Sequence, residues 1–434
     1  MKEGDVKERD VLMRSGLTPL RITFMIAFLL FGVGCAAAPD VPEVAAITEA
    51  DSAGVRIVQN HSPAWPDGVG WRVGEVETSI GVAAGAPEQQ LFRVFDATRL
   101  SDGTVVIANS GTAELKFFDR DGNFIRSVGR AGGGPGEFSQ ASTIRALVRR
   151  PGDSLLTWDV YGQKLSLFDP AGEFVRDARL SISGRMYFWR GVFPDGTLLM
   201  ALVNPDQPSE VQTGLLPRHI RLLSFSQTGD SLGVLGEYDE SDWHMTRMER
   251  GAGLFMETPF AREVTLGVAG EGMVLSTGES YEYRVLDGEF SLVAVVRREF
   301  SPVPVREEDR ARILDEELAG TPESRRPAVR RIVESLPLPE FFPPYKGMMV
   351  DAGLNVWLQE YPVRDGLPND WTVFDPTGRW LGTVTLPERL EVYEIGLDYL
   401  LGKEVDDLGI ERVRVCWLIR EVVPGVREVV SGTP

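Results

Sequence analysis

Asp119-Arg120-Asp121-Gly122-Asn123-Phe124-Ile125-Arg126-Ser127-Val128-Gly129, followed after three residues by Gly133-Gly134-Pro135-Gly136-Glu137-Phe138, holds the two signals on which the fold turns. Asp119 and Gly122 frame a tight turn, because aspartate bonds the backbone two residues on and glycine accepts a positive φ. Apolar alternation flanks it, Leu115-x-Phe117 before and Phe124-Ile125 after, so the turn is the tip of a hairpin. Both signals recur. The turn returns at Asp169-x-x-Gly172-x-Phe174 and Asp375-x-x-Gly378-x-Trp380, with looser copies at Gly229 and at Asp287-Gly288-Glu289-Phe290. The second signal has a forerunner 48 residues earlier, where Ser79-Ile80-Gly81 precedes Gly85-Ala86-Pro87-Glu88 with the same six-residue step from glycine to proline.

A second family of turns, Asp102-Gly103, Asp195-Gly196 and the weaker Gly152-Asp153, Gly272 and Asp351-Ala352-Gly353, marks an earlier hairpin in each unit. Two hairpins make four strands, and a four-stranded unit repeating about every 40–50 residues is a propeller blade. Inner strands are expected to start near 93, 143, 188, 264, 348 and 392, which gives an all-β, six-bladed β-propeller over residues 70–421 with a C-terminal tail at 422–434. The last unit runs out one strand short, and residues 71–80 are expected to supply it and close the ring. The insertion at 301–347, between blades four and five, carries helical periodicity at Ile313, Leu314 and Leu318 and again at Ile332 and Leu336. If it hides a degenerate blade, the ring has seven.

Composition fits a large core: 434 residues, 43% hydrophobic and 25% charged, with 46 glycines and 28 prolines for many turns. The net charge of −19 argues against nucleic acid or an anionic membrane surface as partner. Two cysteines, Cys35 and Cys416, make neither a disulfide framework nor a four-ligand zinc site, and His61, His219 and His244 have no metal-ligand spacing.

The apolar run at 22–34, ITFMIAFLLFGVG, follows Arg14 and Arg21 and precedes Cys35-Ala36-Ala37-Ala38. At ~1.5 Å per residue it is too short to span a bilayer core, and it reads as an export signal. Gly34-Cys35 resembles a bacterial lipobox, although Gly32 stands where leucine is usual. Residues 1–34 are therefore expected to be a signal peptide and 35–69 a lipidated N-terminus and tether, placing the protein in the cell envelope, exported and lipid-anchored at Cys35. Cleavage after the alanine run, or an uncleaved anchor, are the other readings.

Val105-Val106-Ile107-Ala108-Asn109-Ser110-Gly111-Thr112-Ala113-Glu114-Leu115-x-x-Phe118-Asp119 resembles the core of an NHL repeat, with Asn109, Thr112 and Glu114 standing where the family has aspartate, asparagine and arginine. The likeness is good in blades one and two and fades beyond them. It implies the fold more than the function, because propellers host binding, scaffolding and catalysis alike.

Three insertions, 203–218, 237–262 and 301–347, fall by strand parity on one rim. Candidate ligand-binding residues there are Asn109, Asp159, Trp243, His244, Phe341, Phe342, Tyr345 and Glu360. The helical hairpin reads as a shield over blade tops or as a lid over a funnel. No catalytic residue and no cofactor are assigned, since nucleophile elbow, phosphate loop and His-Glu-x-x-His are all absent. If a divalent cation such as calcium binds, its ligands are expected among Asn109, Asp159, Asn204, Glu279, Glu360 and Glu404, just after the second strand of each blade. The expected function is non-catalytic binding of a partner protein or small ligand by a monomer, the membrane being met only through the lipid. The alternative is a lactonase-like hydrolase or lyase with a carboxylate-bound cation.

Overall fold

The computed structural model describes residues 46–181, 187–203, 214–247, 253–319, 321–363 and 368–421. Six sheets, antiparallel except for one parallel pair in blade four, make a six-bladed propeller, with inner strands starting at Val94, Ile144, Tyr187, Thr265, Tyr345 and Leu390. Blade one runs Val94–Arg99, Val105–Asn109, Glu114–Phe118 and Phe124–Val128, and each strand pairs only with its sequence neighbours.

The strand Val105–Asn109 is buried at every position, because both faces of a blade are covered. Its two-residue period sorts those side chains. Val106 and Ala108 join Phe138, Ile144 and Phe168 in the seam with blade two, while Val105 and Ile107 join Leu401, Val413 and Val415 in the seam with blade six. The core is thus distributed over six such seams.

The hairpin tips have the chemistry their sequence implies. Asp119 Oδ1 accepts the N–H of Asp121 at 3.0 Å and of Asn123 at 2.8 Å, while Gly122 stands at φ +84°. Asp375 and Gly378 repeat this, as do Asp406 and Gly409, a copy not singled out in the sequence. At Asp287 the left-handed position is held by Phe290, at φ 60°.

Ring closure involves two N-terminal segments. The strand β3 (Arg72–Ile80) pairs antiparallel with Glu411–Ile419 and is the outermost strand of the last blade. Upstream, where the sequence suggests a tether over 35–69, β1 (Ile47–Ser52) and β2 (Val55–Asn60) form a hairpin instead, and β2 pairs in parallel with Leu292–Arg298, giving blade four six strands. The tether reading fails here because Val55, Ile57 and Val58 supply the β-branched residues of a strand, and the proline-rich flanks hide them. From blade four the chain crosses to blade five, where Asn60 accepts the N–H of Trp380 at 2.8 Å and donates to the Gly378 carbonyl at 3.0 Å. Trp65 then fills the space left by Gly382, whose added Cβ would stand 2.4 Å from the indole. Residues 46–80 therefore strap blades four, five and six together from outside.

Removing residues 46–65 is expected to lower the urea-unfolding free energy by about 3–5 kcal/mol, the transfer energy of the buried Val58 and Trp65 side chains. An unchanged urea midpoint would show the strap to be passive.

Carboxylates also stitch the seams near the channel. Asp96 Oδ2 accepts the N–H of Leu147 in blade two at 2.9 Å, and Glu394 Oε2 accepts Thr98 Oγ1 at 2.8 Å and the N–H of Arg99 at 3.2 Å. Burial, with the nearby charges of Glu394 and Glu391, pushes Asp96 up to about 7 against the lowering effect of its two backbone N–H bonds. A carboxyl raised in the folded state adds stability that is complete below its unfolded value of 3.8 and is lost as pH rises through about 7. This group is therefore expected to lower the melting temperature between pH ~4 and pH ~7, and Asp96→Asn to flatten that slope.

Candidate functional site

Strand parity puts the ends of second and fourth strands, and the starts of first and third strands, on one side of the ring. Four connections meet there over blade four: 258–262 before its inner strand, 278–282 between its second and third strands, 297–302 after its fourth, and 337–344 before blade five. With Gln59 and Glu240 they line an open cavity of about 970 Å³. Two helices, α1 (Glu307–Ala319) and α2 (Arg326–Ser335), precede the last of these segments, with Leu314, Ile332 and Val333 buried.

The walls are mostly rigid apolar surface. Phe260, Tyr281, Phe300, Phe341 and Phe342 line the cavity together with prolines such as Pro339, Pro343 and Pro344. Phe260 meets Phe342 edge-on at 4.6 Å, and Tyr361 stacks behind Phe342 at 5.6 Å, so this wall is fixed by its own packing. Phe341 is 42% exposed. Proline-flanked aromatics bind at little cost in conformational entropy, because little freedom is left to lose.

The floor is polar. Arg298 lies 4.0 Å over the Tyr281 ring and 4.6 Å over Trp380, and donates to Glu360 at 3.2 Å and to Thr372 at 2.9 Å. Glu360 Oε1 also accepts from the Tyr281 hydroxyl at 2.6 Å and from Thr372. Burial, and then the Glu360 charge, hold the Tyr281 phenol well above its usual range, so it stays a neutral donor. Around the rim, Arg262 pairs with Glu279 at 2.7 Å and Arg297 with Glu282 at 2.6 Å, while the buried Glu240 pairs with Arg218 at 2.6 Å.

The structure scatters several of the candidate residues. Phe341 and Phe342 line the cavity and Glu360 lies in its floor network. Tyr345 is buried core: its hydroxyl donates to the Glu282 carbonyl at 2.8 Å and contacts Ser276. Asn109 is spent locally, accepting the Phe92 N–H at 2.7 Å and donating to Thr112 at 2.7 Å. Asp159 likewise accepts Ser139 N–H at 2.6 Å and Gly162 N–H at 2.8 Å. Glu404 pairs with Arg414 at 2.8 Å inside its blade, and Glu279 stands three residues past the end of its strand, Gly272–Ser276. Asn204 and Cys35 lie outside the described residues, as do the side chains of Trp243 and His244. The backbones of those last two are in the strand Ser231–Arg247, which extends blade three with Gly214–Phe225 and Gly253–Glu257, so 214–218, 237–247 and 253–257 of the two expected loop insertions belong to one elongated sheet. Among the described residues, no three His, Cys, Asp or Glu side chains come together as a metal site. The sequence reading missed Tyr281 and Arg298; only their blade-four position makes them floor residues.

Residues 87–188 match a family described as a 6-bladed beta-propeller, DUF5128. No curated protein matches the chain. Solved structures with a similar fold include a member of the duf4221 family from Bacteroides vulgatus, at 11% identity over 81% of this chain and 99% of that one, with a TM-score of 0.44. Virginiamycin B lyase from Staphylococcus aureus is similar at 9% identity over 75% and 95%, with a TM-score of 0.38. Regucalcin from Agrobacterium tumefaciens, a calcium-binding protein, is similar at 12% identity over 81% and 97%, with a TM-score of 0.37. Likenesses at this level carry no argument about activity. Among the described residues, no helix is long and apolar enough to cross a membrane.

Proposed function

We propose that the protein is an exported, membrane-tethered propeller that binds a small ligand or partner segment in the cavity over blade four and catalyses nothing there. The supporting observation is the cavity's composition. Five aromatic side chains and a set of prolines line it, and of its carboxylates Glu240, Glu279 and Glu282 are each engaged by an arginine, as is Glu360 beneath them, while Glu340 lies among the prolines. Such a site offers apolar area with a polar floor for orientation, which is the make-up of a binding pocket. The segment 337–344, which follows helices α1 and α2, supplies the proline-rich part of its wall.

Phe341→Ala is expected to leave the melting temperature within ~1 °C, since that side chain is half exposed, and to weaken binding of the fluorescent apolar probe bis-ANS about tenfold. Equal probe binding by both proteins would count against the cavity. The anchor is tested separately: Cys35→Ser is expected to move the protein from the membrane fraction to the soluble one, and a variant that stays in the membrane fraction would sink the lipid reading.

A further inference from the structure

Five of the six inner strands of this propeller carry one residue too many. In blade one Val94 pairs with Asn109 and Asp96 with Ala108, leaving Phe95 outside the ladder. The same register shift leaves out Arg145 in blade two, Arg190 in blade three, Lys346 in blade five and Tyr393 in blade six. Blade four has no such shift between its first two strands. A bulge re-aims the side chain it expels from the ladder. An inner strand has the adjoining blades, the rim segments at its start and the central channel beside it, so a bulged residue that keeps exposed surface borders the channel or its mouth. Phe95 is 38% exposed, Lys346 is exposed, and the other three are half-buried.

Three of these five residues are cations, in a chain of net charge −19. Most arginines near the seams are ion-paired, yet among the described residues Arg145, Arg190 and Lys346 have neither an ion pair nor a side-chain hydrogen bond. Arg145 has only the face of Phe95, 4.6 Å from its guanidinium. Arg190 has a buried Nε with no acceptor. Glu240 and Glu263 act on Arg190 electrostatically, but Glu240 is already held by Arg218 and by the Val264 N–H. Of the nearby carboxylates among the described residues, Glu391 pairs with Lys403, Glu394 accepts from blade one, and Asp96 accepts from Leu147, while Glu263, Glu316 and Glu317 share a recess with Lys346. The aromatic members are preset as well, since the Tyr393 hydroxyl donates to the Val94 carbonyl at 3.2 Å and fixes its ring between blades six and one.

The bulges stand at two depths. Phe95, Arg145 and Lys346 face the last two residues of their second strands. In blade six the shift at Tyr393 lies opposite Gly402 and Leu401, and in blade three the shift at Arg190 lies opposite Met200 and Leu199, further from the loop-bearing end. Two residues of strand are ~7 Å, about the width of an aromatic ring with its substituents.

We propose that the channel is a second site, which takes a small aromatic polyanion: oxyanion groups on Arg145, Arg190 and Lys346, and the ring against Phe95 and Tyr393. The pocket over blade four plays no part in it. The test is calorimetric titration of the full chain with trimesate, its neutral triamide and pyrophosphate. Trimesate is expected to bind one to one and the triamide not to bind. Arg145→Gln and Arg190→Gln are each expected to weaken trimesate at least about tenfold, while Arg331→Gln, which removes an exposed charge on α2, changes nothing. Melting of Arg190→Gln should be no lower than that of the parent chain, which separates lost binding from lost folding. Absence of trimesate binding, equal binding of the triamide, or affinity that ignores Arg145 and Arg190 would each overturn the proposal. Binding of pyrophosphate without trimesate would overturn its aromatic half.

Discussion

Deletion of residues 72–80 is expected to abolish the cooperative thermal transition, or to lower it by more than ~15 °C. The nine-residue β3 covers Glu411–Ile419, and its loss would uncover Val413 and Val415, which are 0% and 1% exposed. It would also remove Ile80, which belongs to the seam between blades six and one, so the ring would open where two seams meet. An uncovered edge of this kind pairs with other chains, and the variant should aggregate on heating. Circular dichroism melts of this deletion beside the 46–65 deletion separate closure from strapping. Similar melting points for both would refute the special role of β3.

Asp351→Ala is expected to cost about 3–5 kcal/mol, the usual loss when one member of a buried charge pair is removed. The Asp351 carboxylate is completely buried and accepts five donors: the N–H groups of Gly353 and Asn355, the Asn355 amide, the Trp357 indole at 2.9 Å and Arg420 at 2.9 Å. Arg420 in turn lies 4.2 Å over the Trp71 ring and donates to the Gly396 carbonyl. One carboxylate therefore joins a turn of blade five to the end of blade six and to the start of β3. Asp351→Asn keeps the shape but turns donors toward donors, and should recover less than half the loss. Urea unfolding of the three proteins measures this, and a loss under ~1 kcal/mol for the alanine variant would show the cluster to be dispensable.

The blades were legible because their turns are local chemistry. Asp119 with Gly122 and Asp375 with Gly378 need no distant partner to adopt their geometry, so spacing alone locates the hairpins and, from them, the inner strands. The hairpin β1–β2 was not legible for the opposite reason. Its strands are stabilised by pairing with Leu292–Arg298, which no local pattern records. The site divides in the same way. Phe341 and Phe342 stand out as an aromatic pair among prolines, whereas Arg298 is one arginine among many until the fold sets it over Tyr281. Asn109 and Asp159 misled because the residue types that bind cations also close turns, and here they close turns.

The N-terminal strap also sets an order of events. Ser79 and Arg414, which hydrogen-bond across the closing pair, are 335 positions apart, and Asn60 reaches over 300 positions to Trp380. A chain emerging from its N-terminus therefore presents these strands first and their partners last. Blades one to three can form from contacts within about fifty residues, while β2 and β3 wait for blades four to six. Loop-closure entropy makes such distant pairings late and slow, so closure is the final step and its rate limits how long unpaired edges remain open to other chains.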